Sequence, residues 1–184
     1  MEATDILMEE HTIIKRVLTA LETAAQRLEQ GQNIRTGFFI DAADFIKGFA
    51  DGCHHMKEEG VLFKAMIASG MPAQGGPINM MLAEHEQGRN YTRAMRESAQ
   101  KLQAGDESGR DQVIRSAHGY IALLRQHIHK EDNILFPMAN RVIPKAEQGK
   151  VADDFKRVER EESGEGVHEK YLLLAEALEK ESSS

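Results

Sequence analysis

The sequence predicts an all-α fold: an antiparallel four-helix bundle with an additional C-terminal helical segment. Three observations predict it. Apolar residues recur at steps of three and four over four long stretches. Short Gly- and Pro-containing breaks separate those stretches, as antiparallel neighbours with short connections require. The composition also fits, because a 184-residue chain with 41% hydrophobic residues, 29% charged residues, no Trp and four Pro suits one helical core. The expected division is a bundle over 1–143 and a helical appendage over 144–184 packed on it.

Each element follows from its own pattern. In the first helix the inner stripe is Leu7, His11, Ile14, Leu18, Leu21, Ala25 and Leu28, and "GQNIRTG" ends it. The second runs from about Phe38 to Ser69 and is closed by "GMPAQGGP". Ile78, Met81, His85, Gly88, Thr92, Met95, Ala99 and Leu102 define the third, which stops at "AGDESG". Val113, Ala117, Tyr120, Leu124, His127, Glu131 and Ile134 define the fourth, with Pro137 and Pro144 expected to break or redirect the chain. Two shorter helices follow, about Lys145 to Glu162 and Val167 to Lys180, divided by "SGEG".

Charge and composition narrow the function classes. A net charge of −7 argues against nucleic acid as the main partner. No stretch reaches the roughly eighteen uninterrupted apolar residues of a membrane span, and "MEATDILMEEH" has no signal-peptide character. A single cysteine excludes an internal disulfide framework and fits a reducing cytoplasm. The expected state is a cytoplasmic monomer or homodimer.

The chain also repeats itself. "MEEH" ends at His11 and "LAEH" at His85, each opening a helix. At similar distances downstream come "HHMKEEGVLF" and "HIHKEDNILF", which align on Lys-Glu and Leu-Phe. Each half thus contributes a lone His and then a His-x-x-x-Glu, as a pseudo-symmetric bundle needs. Residues four apart share a helix face, so His127 and Glu131 point to a common place. A histidine in an apolar stripe is usually a hydrogen-bonded core residue. One per helix on the inner face, two of them with a Glu at the same offset, makes a metal site the better account.

On the second helix the choice lies between His54 with Glu58 and His55 with Glu59. Phe39, Ala43, Ile46 and Ala50 share the face of His54, whereas Asp44, Lys47 and Asp51 share that of His55. The pattern favours His54 and Glu58, with His55 and Glu59 as the alternative. The candidate metal ligands are therefore His11, His54, Glu58, His85, His127 and Glu131. His118 and His129 fall on the opposite side of their helix from His127, so they should face solvent. His168 is expected to make helix-end hydrogen bonds, Cys53 to be a small buried hydrophobe, and Tyr120 to pack. Four His and two Glu suit first-row transition metals, and two carboxylates able to bridge favour a dinuclear centre over a closed structural zinc site.

At these residues the chain resembles the hemerythrin-like, or HHE cation-binding, family. The match falls on His11, on His54 with Glu58, on His85, and on His127 with Glu131, and it spans roughly Asp5 to Ala139. The resemblance implies a non-haem centre of two Fe ions, oxo- or hydroxo-bridged, that meets a small molecule such as O2, peroxide or NO. Oxygen-carrying hemerythrins place a His where Glu131 stands. The more anionic ligand set here is expected to favour oxidation chemistry, stress handling or sensing over oxygen storage. Three other readings are a metal-dependent sensing module whose tail contacts a partner, a ferritin-like oxidase, and a metal-free bundle. The oxidase pairs two Glu-x-x-His motifs, and this chain offers only Glu165 to His168 in that spacing.

Overall fold

Apolar stripes at helical spacing fold into four long helices in the computed structural model, which describes residues 2–163 and 166–184. Helix α1 spans Ala3–Glu29 and α3 spans Pro77–Gln103. The helix α2 is composite: α-helical over Gly37–Phe45, π-helical over Ile46–His55 and Glu58–Leu62, then α-helical over Phe63–Ala68. Helix α4 is built the same way, α-helical over Arg110–Lys130, π-helical over Glu131–Leu135 and α-helical again over Phe136–Val142. Two shorter helices follow, α5 over Lys145–Val158 with a π turn at Glu159–Ser163, and α6 over Val167–Ser182. No strand occurs among the described residues.

His11 and His85 lie near the starts of α1 and α3, His54 and His127 in the later halves of α2 and α4, and all four meet at one level. The helices therefore alternate in direction, as an antiparallel bundle requires.

Two apolar cores flank that level. One holds Ile14, Leu18 and Leu21 of α1, Phe38, Phe39, Phe45 and Phe49 of α2, Met95 of α3 and Tyr120 and Leu124 of α4. The other holds Leu7, Leu62, Phe63, Met66, Met81, Leu135 and Phe136. The C-terminal helices extend both, Ala175 and Leu178 of α6 joining the first and Val151 and Phe155 of α5 the second. Gly48 lets α6 approach, because a Cβ there would collide with the Tyr171 ring.

Two expectations fail at the π turns. Ile134 continues the inner stripe of α4 at α-helical spacing, yet it is 54% exposed, while Leu135 and Phe136 are buried. A π turn holds one residue more than an α turn and rotates everything after it. Pro137 does not break α4 either. It falls in the first turn of the α-helical segment that begins at Phe136, where a missing N–H costs little. Pro144 does end the helix. Of the "SGEG" break, Gly164 and Glu165 lie outside the described residues, so the Glu165–His168 pair does too.

Candidate metal centre

Between the two cores the chain buries charge. His11, His54, Glu58, His85, His127 and Glu131 are all at most 1% exposed. The two glutamates span the group. Glu58 reaches His54 Nε2 with Oε1 and His85 Nε2 with Oε2, both at 3.3 Å. Glu131 reaches His127 Nε2 with Oε1 at 3.0 Å and His11 Nε2 with Oε2 at 3.2 Å. Each carboxylate thus faces imidazoles from both halves of the chain.

A seventh residue joins the layer, one that the sequence pattern offered only as the alternative to His54. His55 is 3% exposed, not solvent-facing, and its ring stacks on His85 at 3.8 Å between centroids. The cause is the π segment Ile46–His55, whose wide turn brings neighbours 54 and 55 inward together. Choosing between the two histidines assumed α-helical spacing. Glu59 is not a counterpart to Glu58 but stands outside it. The ligand atoms fall into two groups, His55, Glu58, His85 and His127 in one, and His11, His54, Glu58 and Glu131 in the other. In each, the atoms lie within 4.8 Å of one another.

Each of these five imidazoles is held from behind by a carboxylate on Nδ1. Asp132 takes His11 at 2.6 Å, Glu10 takes His54 at 2.9 Å, Asp51 takes His55 at 2.9 Å, Glu59 takes His85 at 2.7 Å and Glu84 takes His127 at 2.8 Å. Every one of those carboxylates meets a cation further out. Lys15 pairs with Asp132 at 2.8 Å, Lys57 with Glu10, Arg89 with Glu59 at 2.6 Å and with Asp51 at 3.7 Å, and Lys130 with Glu84. Such carboxylate support fixes the tautomer and aims Nε2 inward, as is usual behind metal-ligating histidines. The sequence did carry a signal for it. An acid adjoins each ligand motif (Glu10, Glu59, Glu84, Asp132), and each braces a histidine on another helix. The two Leu-Phe pairs are explained the same way: Phe136 stacks on His11 at 5.4 Å and Phe63 on His85 at 6.1 Å.

The buried charges of this layer set one another's protonation. Burial opposes charge on His54, but the Glu58 charge and the contacts with Glu10 and Glu58 outweigh it and raise its pKa to about 10. His127 is likewise opposed by burial and raised to about 9 by Glu131 and Glu84. Burial pushes the Glu58 carboxyl up, yet the His54 charge and the contacts with His54 and His85 hold it well below the usual range. Burial and the His85 charge drive His55 well down, keeping it neutral.

The remaining residues are peripheral. His129 is exposed and the His118 side chain is 40% exposed. His168 is half-buried, with Nδ1 3.5 Å from Glu159 and its ring against Phe49. Cys53 is buried, and burial pushes its thiol pKa up. Tyr120 is buried in the first core with its hydroxyl unpartnered.

The residues present fit a metal. Among the described residues, eight buried side-chain polar atoms lack a hydrogen-bond partner, and six belong to this layer: Nε2 of His11 and His54 and both oxygens of Glu58 and Glu131. Neutral imidazole nitrogens with shared carboxylates are donors for first-row transition metals.

A four-helix bundle that buries histidines and two spanning glutamates at one level defines a cation-binding helical protein. The chain belongs to the hemerythrin HHE cation-binding domain family, whose model matches residues 2–139. It is 24% identical to an uncharacterised protein of Mycobacterium tuberculosis over 97% of this chain and 69% of that one. It is 30% identical to the iron-sulfur cluster repair protein YtfE of Dickeya chrysanthemi over 74% of this chain and 63% of that protein. The YtfE of Musicola paradisiaca is 36% identical over 48% of this chain and 40% of its own length. No solved structure gives a significant match. No helix among the described residues is long and apolar enough to cross a membrane.

Proposed function

We propose that this chain is a non-haem di-iron protein whose centre meets O2, peroxide or NO in the handling of oxidative or nitrosative stress. The observation that carries the reading is the pair of buried carboxylates, each with both oxygens unpartnered and each facing histidines from both halves of the chain. His11, His54, Glu58, His85, His127 and Glu131 would hold the ions, and bound iron would supply the redox chemistry. The protein's own groups do the rest. Asp132, Glu10, Glu59 and Glu84 keep the Nδ1 protons and fix the rings, and the two cores exclude bulky substrates. Leu18, Met81 and Leu124 are buried on either side of the site, so only small molecules have room. The name of the YtfE relatives, iron-sulfur cluster repair, supports a stress role.

The expectation of oxidation over oxygen storage began from a set of four imidazoles. A fifth within reach returns nitrogen to the set, so that preference now rests on the two carboxylates. Rapid mixing of the anaerobic, iron-loaded protein with O2, hydrogen peroxide or NO tests the proposal. Prompt spectral change with at least one of them, and loss of reduced iron in air without recovery on degassing, are expected. Indifference to all three would overturn it, and repeated reversible loading of O2 would convert it to a storage role.

One contact favours the second reading, a metal-dependent sensing module. Lys57, fully buried, pairs with Glu10, which braces His54, and also with Glu159 at 3.1 Å at the end of α5. The C-terminal segment is thereby tied to the site. Chelation that exposes α5 and α6 to proteolysis, in a protein without turnover, would favour it.

A further inference from the structure

A second constellation lies outside the metal layer, on the surface between α2 and α3. There the two helices leave a solvent-open cavity of about 600 Å³, within the range of small-molecule sites, roughly 300–1,000 Å³. Part of its α2 wall falls in the π segment, where Gly52 brings no side chain into the space. Met56 and the methylene stems of long basic side chains give it apolar surface. Four cations edge it, Lys47 from α2 and Arg89, Arg93 and Arg96 from α3.

The cations differ in what already holds them. The two carboxylates in the wall, Asp51 and Glu59, are turned inward to His55 and His85. Arg89 is committed to both, at 3.7 Å and 2.6 Å. The other three are held loosely. Lys47 is exposed and has no carboxylate partner among the described residues. Arg93, also exposed, donates to Asn90 at 2.7 Å and meets Glu86 only at 3.9 Å. Arg96 pairs with Asp44, whose side chain is 48% exposed. Ion pairs open to water are weak, so these three side chains can turn to another anion at little cost. A solvated helix face would explain the charges but not a hollow with an apolar wall beneath them.

We propose that this cavity binds a small organic anion, its carboxylate or phosphate head held by Lys47, Arg93 and Arg96 and its apolar body laid against Met56. Guanidinium forks match either head in a bidentate way. Asp51 and Glu59 stand between the cavity and the imidazoles, so this ligand is not the small molecule that meets the metal ions. It comes close to the layer only through Arg89, which holds the carboxylates behind His55 and His85. The proposal does not depend on the di-iron reading, because the three gripping cations are paired with no residue of the layer.

Isothermal titration of the full chain with naphthoate and with naphthyl phosphate tests it, naphthylmethylammonium serving as a cation with the same apolar body. At least one anion should bind saturably, at one site per chain, and more weakly as salt rises. The tighter of the two identifies the head group, and the cation should show no saturable binding. Lys47→Glu combined with Arg93→Glu should weaken the anion about tenfold or more. Should that double reversal lower the melting temperature, Lys47→Gln with Arg93→Gln replaces it, and the same direction is expected. No saturable binding of either anion, equal binding of the cation, or unchanged affinity in the folded variants would overturn the proposal.

Discussion

Metal removal should destabilise this protein, by an amount that follows from the orphaned atoms. Six buried polar atoms of the layer have no hydrogen-bond partner. At about 1–3 kcal/mol for each unsatisfied group, their summed cost is of order 10 kcal/mol. That rivals the whole stability of a typical domain, about 5–15 kcal/mol. The charge contacts at 3.0–3.3 Å recover part of it, and bound ions would recover more. Metal at a hundredfold excess over its dissociation constant adds about 2.7 kcal/mol per site, hence roughly 5 kcal/mol for two. For a chain of this length about 2–4 °C accompanies each kcal/mol, so the melting temperature should rise by roughly 10–20 °C on loading. Differential scanning calorimetry of chelated and anaerobically reloaded protein measures it. Equal melting temperatures at neutral pH would refute the idea that the site contributes to folding.

Other outcomes follow from the same structure. Lys57→Met leaves buried Glu10 with His54 as its remaining cationic partner and should cost about 1.5–3 kcal/mol, the worth of a charged hydrogen bond, in urea unfolding of the metal-free protein. Phe38→Ala, in the core away from the site, should cost about 3–5 kcal/mol while leaving iron content of the folded protein unchanged. His129→Ala should alter stability by no more than about 0.5 kcal/mol and leave metal content intact. In the metal-free protein the raised pKa values of His54 (about 10) and His127 (about 9) contribute stability that is complete below 6.5 and fades as pH rises towards those values. Glu58, held low, contributes above the ordinary carboxylate value of 4.5 and loses that contribution in acid. Metal must displace the protons of His54 and His127, so uptake at pH 7 should release acid, read with a pH indicator, and apparent affinity should fall as pH falls.

The fold and most of the site were legible because both are written at α-helical spacing. Four apolar stripes, each with one histidine, name the helices, their inner faces and the level of the site. The doubled Lys-Glu and Leu-Phe motif marks the shared carboxylates. What escaped depends on the π turns, which no periodicity of three and four reports. They turn His55 inward, move Ile134 out and Leu135 in, and let Pro137 sit within α4. The bracing acids were visible as neighbours of the ligands, but which histidine each one holds depends on how the helices pack. Glu10 beside His11 braces His54, an assignment local sequence does not contain.

The central claim is that one buried layer holds two metal ions. Elemental analysis of protein purified without a histidine tag and reloaded anaerobically with ferrous iron tests it most directly. Two irons per chain are expected, one for each group of ligand atoms, both lost in Glu58→Ala because Glu58 serves the two groups. A single stoichiometric zinc with no iron uptake, or a chain that binds no metal at all, would contradict it.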